Sequence, residues 1–316
     1  MALEQLLTMI PLKLAQYHPR NDTDRTLPLL RALLRYAPTE NGRKEVAINI
    51  LRCSNDKLGN LGDHYLSDLL VPIRAMGGRT PTVSAGNPSN PDSVETALNV
   101  IRLEPQNFNR QRMRILVLAR EDYRCIVSGH CDFEAFNQGR TTMTESETYA
   151  DVHNAHILPF SLVGGANATH AEIMKSASVW QVIEAFSGIS LDDLNGNLIN
   201  RPENGITLDS IIHKEFGRLS LCFVATEVAH TYKVQNWNPK LRDIPKTVTF
   251  VPRAEVPLPD PRYLALHAAC ANVVHASGMA EILDRAFDDL ESMPTLSNDG
   301  SSAYVLQHAL ATIMVR

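Results

Sequence analysis

Apolar residues recur three and four positions apart from Met1 to about Gly78. They run as Leu3, Leu6, Leu7 and Ile10, then Leu27, Leu29, Leu30, Leu33 and Leu34, then Leu66, Leu69, Leu70 and Ile73. That spacing keeps the apolar side chains on one face of an α-helix, so the pattern predicts a helical N-terminal region. Asn21-Asp22-Thr23-Asp24 reads as a break and cap before the second helix, Asn41-Gly42 as the next turn, and Asp63 to Met76 as a further helix. Gly77 to Asp92 gathers Gly, Pro, Ser, Thr and Asn, reads as an exposed loop, and marks a domain boundary. Ser93 to Leu103 and Asn107 to Glu121 are expected helices, the second burying Met113, Leu116, Val117 and Leu118.

The pattern then changes. Tyr123 to Gly129 reads as a short strand and turn, Phe136 to Ser146 as a polar loop, and the apolar stretch around His156, closed by Pro159, as a strand. Thr169-His170-Ala171-Glu172 has the form of a capping box, and Ile173, Met174, Val179, Val182, Ile183 and Phe186 continue a helical period. Leu219 to Ala225 and His230 to Trp237 alternate as a hairpin would. Helices are expected over Tyr263 to His275 and Ala280 to Met293, then a polar linker from Leu296 to Ser302 and a final helical segment. The predicted organisation is a helical region over 1–92, a central module over 93–240 with a helical insertion at 161–200, and a helical extension over 241–316. The fold class is α+β and mainly helical.

Composition narrows the setting. A chain of 316 residues and 35.0 kDa, 44% hydrophobic, can build a sizeable core. No stretch approaches the roughly 18 to 20 apolar residues of a membrane span, and Glu4 stands where a signal peptide would be basic. The expectation is an intracellular protein, cytoplasmic or nuclear, with no membrane partner. Five cysteines, an odd number spread along the chain, read as reduced thiols. A net charge of −5 argues against a protein that coats nucleic acid through bulk positive charge. It leaves room for a local groove, and Arg110, Arg112, Arg114, Arg120 and Arg124 offer one; the alternative is a solvated helix face.

The candidate chemistry lies in His156 and, far downstream, Asn204 and His213, the second His nine positions after the Asn on a helical stretch. A strand can aim an imidazole at a water while a helix packed beneath holds an ion, an arrangement suited to a metal-dependent phosphodiesterase.

Four stretches, Arg124-Cys125-Ile126-Val127-Ser128-Gly129, Ala155-His156-Ile157-Leu158-Pro159-Phe160, Asn204-Gly205-Ile206-Thr207-Leu208 and His213-Lys214-Glu215-Phe216, resemble the HNH endonuclease family, in the module type of many fungal proteins. The resemblance covers about Arg110 to Trp237. It implies a ββα-metal fold with an adjoining hairpin around one divalent ion (Mg, Mn, Ni or Zn). It further implies His156 as general base, His213 as the helix-borne metal ligand, and Asn204 as either a metal ligand or the residue that pins the loop positioning the base. The implied partner is nucleic acid, DNA ahead of RNA, and the implied product carries a 5′-phosphate and a 3′-hydroxyl. Where many members place Asp or His directly before the base, this chain has Ala155. His153, three positions before the base, is the substitute ligand, with Asp151 behind it. On a regular strand His153 and His156 point to opposite faces, so joint participation requires a bulge.

Two other functions fit the same residues: an HNH scaffold that binds without turnover, motivated by Ala155 and the net charge, and a metalloenzyme acting on a small substrate. Asn204-Gly205 also has a simple reading as a turn dipeptide. Cys125, His130 and Cys131 lack a second cysteine pair at zinc-ribbon spacing. His267, Cys270 and His275 read as packing or surface residues of one helix.

Overall fold

The computed structural model describes residues 2–74, 93–103, 108–159, 162 and 170–291. The chain forms two compact units, one made of Met1–Pro81, Gly164–Ser190 and Ala269–Arg316, the other of Thr82–Val163 and Leu191–Ala268. The expected insertion at 161–200 is shared between them: its long helix goes with the N-terminal helices, and its last residues stay with the module.

In the first unit, α1 (Leu3–Leu14), α2 (Thr26–Tyr36), α3 (Glu40–Arg52) and α4 (Leu58–Tyr65) lead through a π-helical turn, Leu66–Leu70, into α5 (Val71–Ile73). Leu6, Ile10 and Leu14 of α1 and Leu29, Leu30, Leu33 and Leu34 of α2 are buried, as their spacing requires. Later in the chain α9 (His170–Ser187) packs on α3, burying Val179, Trp180, Val182, Ile183 and Phe186. Asn41-Gly42 is not the expected turn but part of the first turn of α3, where the Thr39 hydroxyl caps the helix by accepting from the Gly42 N–H at 2.9 Å. The glycine is needed for space: a Cβ there would lie 1.8 Å from the Phe186 carbonyl oxygen.

In the second unit, α6 (Val94–Leu103) meets α7 (Arg110–Arg120) through Ala97 and Leu116. Next come β1 (Cys131–Asp132), α8 (Phe133–Asn137), β2 (Tyr149–Ala150) and β3 (Val152–His156). After the excursion into the first unit the chain continues with β4 (Gly205–Asp209), α10 (Ser210–Gly217), β5 (Leu221–Ala225), β6 (Thr231–Asn236) and β7 (Thr247–Thr249). α11 (Pro261–Ala276) runs from this unit into the first, which also holds α12 (Ala280–Glu291).

The strand expected at Tyr123 to Gly129 is reduced to one bridge, Arg124 with Cys131, because Asp122 and Tyr123 take positive φ of 55° and 56° and turn the chain. Part of the expected loop after Phe136 is instead α8, capped by Asp132, whose side chain accepts from the Ala135 N–H. The hairpin is present as antiparallel β5 and β6, with β7 added on the far side of β6. The loop at 77–92, the Thr169 cap, the linker at 296–302 and the final helical segment lie outside the described residues.

β3 and β4 pair antiparallel through five residue pairs and lead directly into α10, making a ββα unit. α7 covers one face of this ribbon: the Thr207 hydroxyl donates to the Val117 carbonyl at 3.2 Å and the Glu121 carboxylate at 2.7 Å. α10 covers the other. The architecture is α+β, mainly helical, with a central ββα unit and an adjoining hairpin.

Candidate functional site

Register decides which histidines face each other. His153 pairs with Leu208, Asn154 with Thr207 and His156 with Gly205, with no residue left over in either strand. A ladder without a bulge alternates its side chains strictly, so His153 and His156 have opposite parity. His153 lies on the α10 side, where its ring centroid is 5.8 Å from that of His213 at an interplanar angle of 42°. Its Nε2 stands 3.1 Å from a carboxylate oxygen of the exposed Asp151. The helix that carries His213 is set by Asp209, whose side chain accepts from the Ile211 and Ile212 N–H groups and caps α10. Burial, reinforced by the neighbouring His153, pushes the His213 imidazole down to about 4. His213 is therefore neutral near pH 7, the form that ligates a metal.

His156 shares the parity of Asn154 and Gly205 on the α7 side. Its Nε2 lies 3.1 Å from the side-chain oxygen of Asn200, a residue 4% exposed at the end of the 3-10 turn Gly196–Asn200. Burial pushes its pKa down to about 4; the Asn200 contact opposes the shift, while the charge of Arg110 and, once it is protonated, that of His213 add to it. The ring is thus held neutral beside a cation, able to take up a proton.

Asn204 is 0% exposed, and its three side-chain hydrogen bonds all go to backbone. Its oxygen accepts from the Leu158 N–H at 2.9 Å, and its nitrogen donates to the carbonyls of Leu158 and Ile199, each at 3.0 Å. The Asn204 carbonyl also accepts from the Ile157 N–H at 2.8 Å. These four bonds close the chain immediately after His156. Gly205, next in line, is fixed by space: a Cβ would lie 2.6 Å from the Met113 side chain and 2.8 Å from those of Asn154 and Val117.

The basic cluster read from the sequence divides. Arg120 is fully buried, donating to the carbonyls of Pro202, Gly205 and Pro257 and to Glu121, so it ties β4 to the chain near Pro257 rather than lining a groove. Arg124 is held by Asp122, Thr142 and Glu147. Of the five, Arg110, Arg112 and Arg114 remain at the start of α7, with Arg110 close enough to act on His156. Cys125 and Cys131 are buried thiols, and His267 is buried in a stack on Phe216, ring centroids 3.8 Å apart. Asn200 was not singled out by the sequence, since an Asn four residues before another carries no signal of contact with a distant His.

A divalent ion would find a partial donor set. Two imidazoles with centroids 5.8 Å apart suit nitrogen ligands of one ion at bond lengths of about 2.1 Å, and Asp151 sits beside one of them. Among the described residues no group of three or more His, Cys, Asp or Glu is gathered for a metal. No helix among them is long and apolar enough to cross a membrane.

Residues 125–224 match the family described as HNH endonuclease. No curated protein and no solved structure matches the chain. The matched stretch runs from Cys125 through β3, β4 and α10 to β5, so it contains His153, His156, Asn204 and His213.

Proposed function

We propose that the protein is a metal-dependent nuclease that hydrolyses phosphodiester bonds of nucleic acid, DNA by preference, leaving a 5′-phosphate and a 3′-hydroxyl. The observation that carries this reading is the facing pair of His153 and His213 in a ββα unit whose strand ends in a neutral His156. The family match over the same residues supports nuclease chemistry.

His213 would hold the divalent ion, and its electrostatic reach to His156 is what links ion and base; His153 and Asp151, on the opposite face of the bulge-free ribbon from His156, would be further donors from the α10 side. The bound cation would supply Lewis-acid polarisation of the scissile phosphate, worth several kcal/mol. His156 takes the proton from the attacking water as the water oxygen adds to phosphorus. Arg110, beside His156, offers positive charge to the phosphate and opposes premature protonation of the base. Asn204 acts as the clamp on the loop after the base; its oxygen already accepts a backbone N–H, which favours this role over ligation. The test is incubation of the full chain with plasmid DNA and Mg²⁺, Mn²⁺, Ni²⁺ or Zn²⁺. Cleavage that stops on chelation and is lost in His156→Ala is expected; undiminished cleavage by that variant would remove the mechanism.

A second reading is favoured by Ala155, a side chain without a donor where the family resemblance leads one to expect a ligand. In it the HNH scaffold binds nucleic acid without turnover. Metal-dependent binding with no cleavage under any of the four ions is its expected signature.

A further inference from the structure

The side chain of Asn200 meets Nε2 of His156, the residue that the proposed reaction uses as its base. The separation of 3.1 Å joins Nε2 to the amide oxygen, and Asn200 is almost wholly buried at the end of its 3-10 turn. Both backbones are held by the same third residue. Asn204 donates to the carbonyl of Ile199, the residue before Asn200, and grips the N–H and carbonyl of Leu158, two residues beyond His156. The contact therefore spans two clamped segments, not a free loop.

We propose that Asn200 is a positioning residue: its amide oxygen accepts the Nε2–H of His156 and fixes the imidazole in the tautomer whose Nδ1 is the basic nitrogen. A neutral imidazole has one donor and one acceptor nitrogen, and an amide oxygen only accepts, so a ring bonded to it through Nε2 carries its hydrogen there. The same bond fixes the ring plane. Its catalytic meaning rests on the reading of His156 as the base. In that step a water O–H bond breaks, its proton goes to Nδ1, the water oxygen bonds to phosphorus, and the bridging P–O bond breaks with its electron pair leaving on the 3′-oxygen, which takes a proton from solvent to become the 3′-hydroxyl. As the ring gains charge, the amide dipole of Asn200, already oriented on Nε2–H, strengthens its hold on the imidazolium.

The experiment is the imidazole nitrogen spectrum of the full chain labelled with ¹⁵N-histidine, with the His156 signals assigned by their loss in His156→Gln. An Nε2–H, Nδ1-acceptor pattern is expected; an Nδ1–H pattern overturns the proposal. Asn200→Leu should lose the tautomer bias and about 10- to 100-fold in kcat with KM changed about twofold or less, and Asn200→Asp, which keeps an acceptor, should retain the tautomer and recover most of the rate. An Asn200→Leu protein with unchanged tautomer and kcat also overturns it. Should that variant fail to fold, the wild-type spectrum and Asn200→Asp decide. An Nδ1–H spectrum in an active nuclease removes the role of Asn200 alone. The expected spectrum in a protein that cleaves no nucleic acid removes the nuclease reading, and with it the catalytic part of this proposal.

Discussion

The side chain of Asn204 closes on both backbone groups of Leu158, accepting from its N–H at 2.9 Å and donating to its carbonyl at 3.0 Å. Because the amide also reaches the Ile199 carbonyl, removing it takes this partner from three backbone groups. Asn204→Ala is expected to lower unfolding free energy by about 2–5 kcal/mol, at roughly 1–3 kcal/mol for each unsatisfied group with partial relief by water. Asn204→Asp should be at least as harmful, since it buries a carboxylate against two carbonyls. Urea titration of both variants checks this, and a loss below about 1 kcal/mol would show that the clamp does not hold the segment.

Two glycines are expected to resist substitution for reasons of space. Gly205→Ala meets side chains of Met113, Asn154 and Val117 that can move, so a loss of about 1–3 kcal/mol is predicted. Gly42→Ala meets the Phe186 carbonyl at 1.8 Å, which is backbone, and should cost more. The order of the two thermal midpoints is the readout.

His267 makes stability depend on pH. It is 1% exposed, its Nε2–H donates to the Phe216 carbonyl at 3.1 Å, and burial pushes its pKa from 6.5 to about 3. The unfolded chain binds the proton below about 6.5 and the folded chain does not until near 3, so stability falls as pH drops through that window, by on the order of 1 kcal/mol per unit. Unfolding free energies at pH 7 and pH 5 should differ in this sense, and His267→Gln should remove one histidine's share of the slope, leaving that of His156 and His213, which burial also holds at about 4.

The arginines should separate by role. Arg110→Ala is predicted to weaken nucleic-acid binding and reduce the salt slope by about one phosphate contact while leaving stability within about 0.5 kcal/mol. Arg120→Met should destabilise the fold by about 3–5 kcal/mol, because Glu121 loses its buried ion partner and three carbonyls lose a donor. Fluorescence anisotropy across a salt series, beside urea melts, distinguishes the two.

A divalent ion should raise the thermal midpoint of the wild type, by the equivalent of about 2.7 kcal/mol at a hundredfold excess over Kd. His213→Ala and His153→Ala should each abolish most of that increase, and His156→Ala should not. A stabilisation that survives His213→Ala would move the metal elsewhere.

Helical periodicity is a local property, and it made α1, α2 and α7 legible because each buries the face its spacing marks. Asn41-Gly42 misled because its turn chemistry is overridden by a Thr39 cap and by the crowding of Phe186, a residue far away in sequence. The short strand expected near Cys125 is cut to the single bridge of Arg124 with Cys131, a partner that lies beyond the turn and outside the local pattern.

The order of His156, Asn204 and His213, and the strand and helix that carry them, are properties of the linear chain, since β-alternation and helix capping act within a few residues. Register, burial and long-range hydrogen bonds exist only once the chain is folded. They alone decided that His153 faces His213, that Asn204 faces backbone, that Arg120 is buried, and that Asn200 lies against His156. Each joins residues whose separation along the chain says nothing of their distance in space.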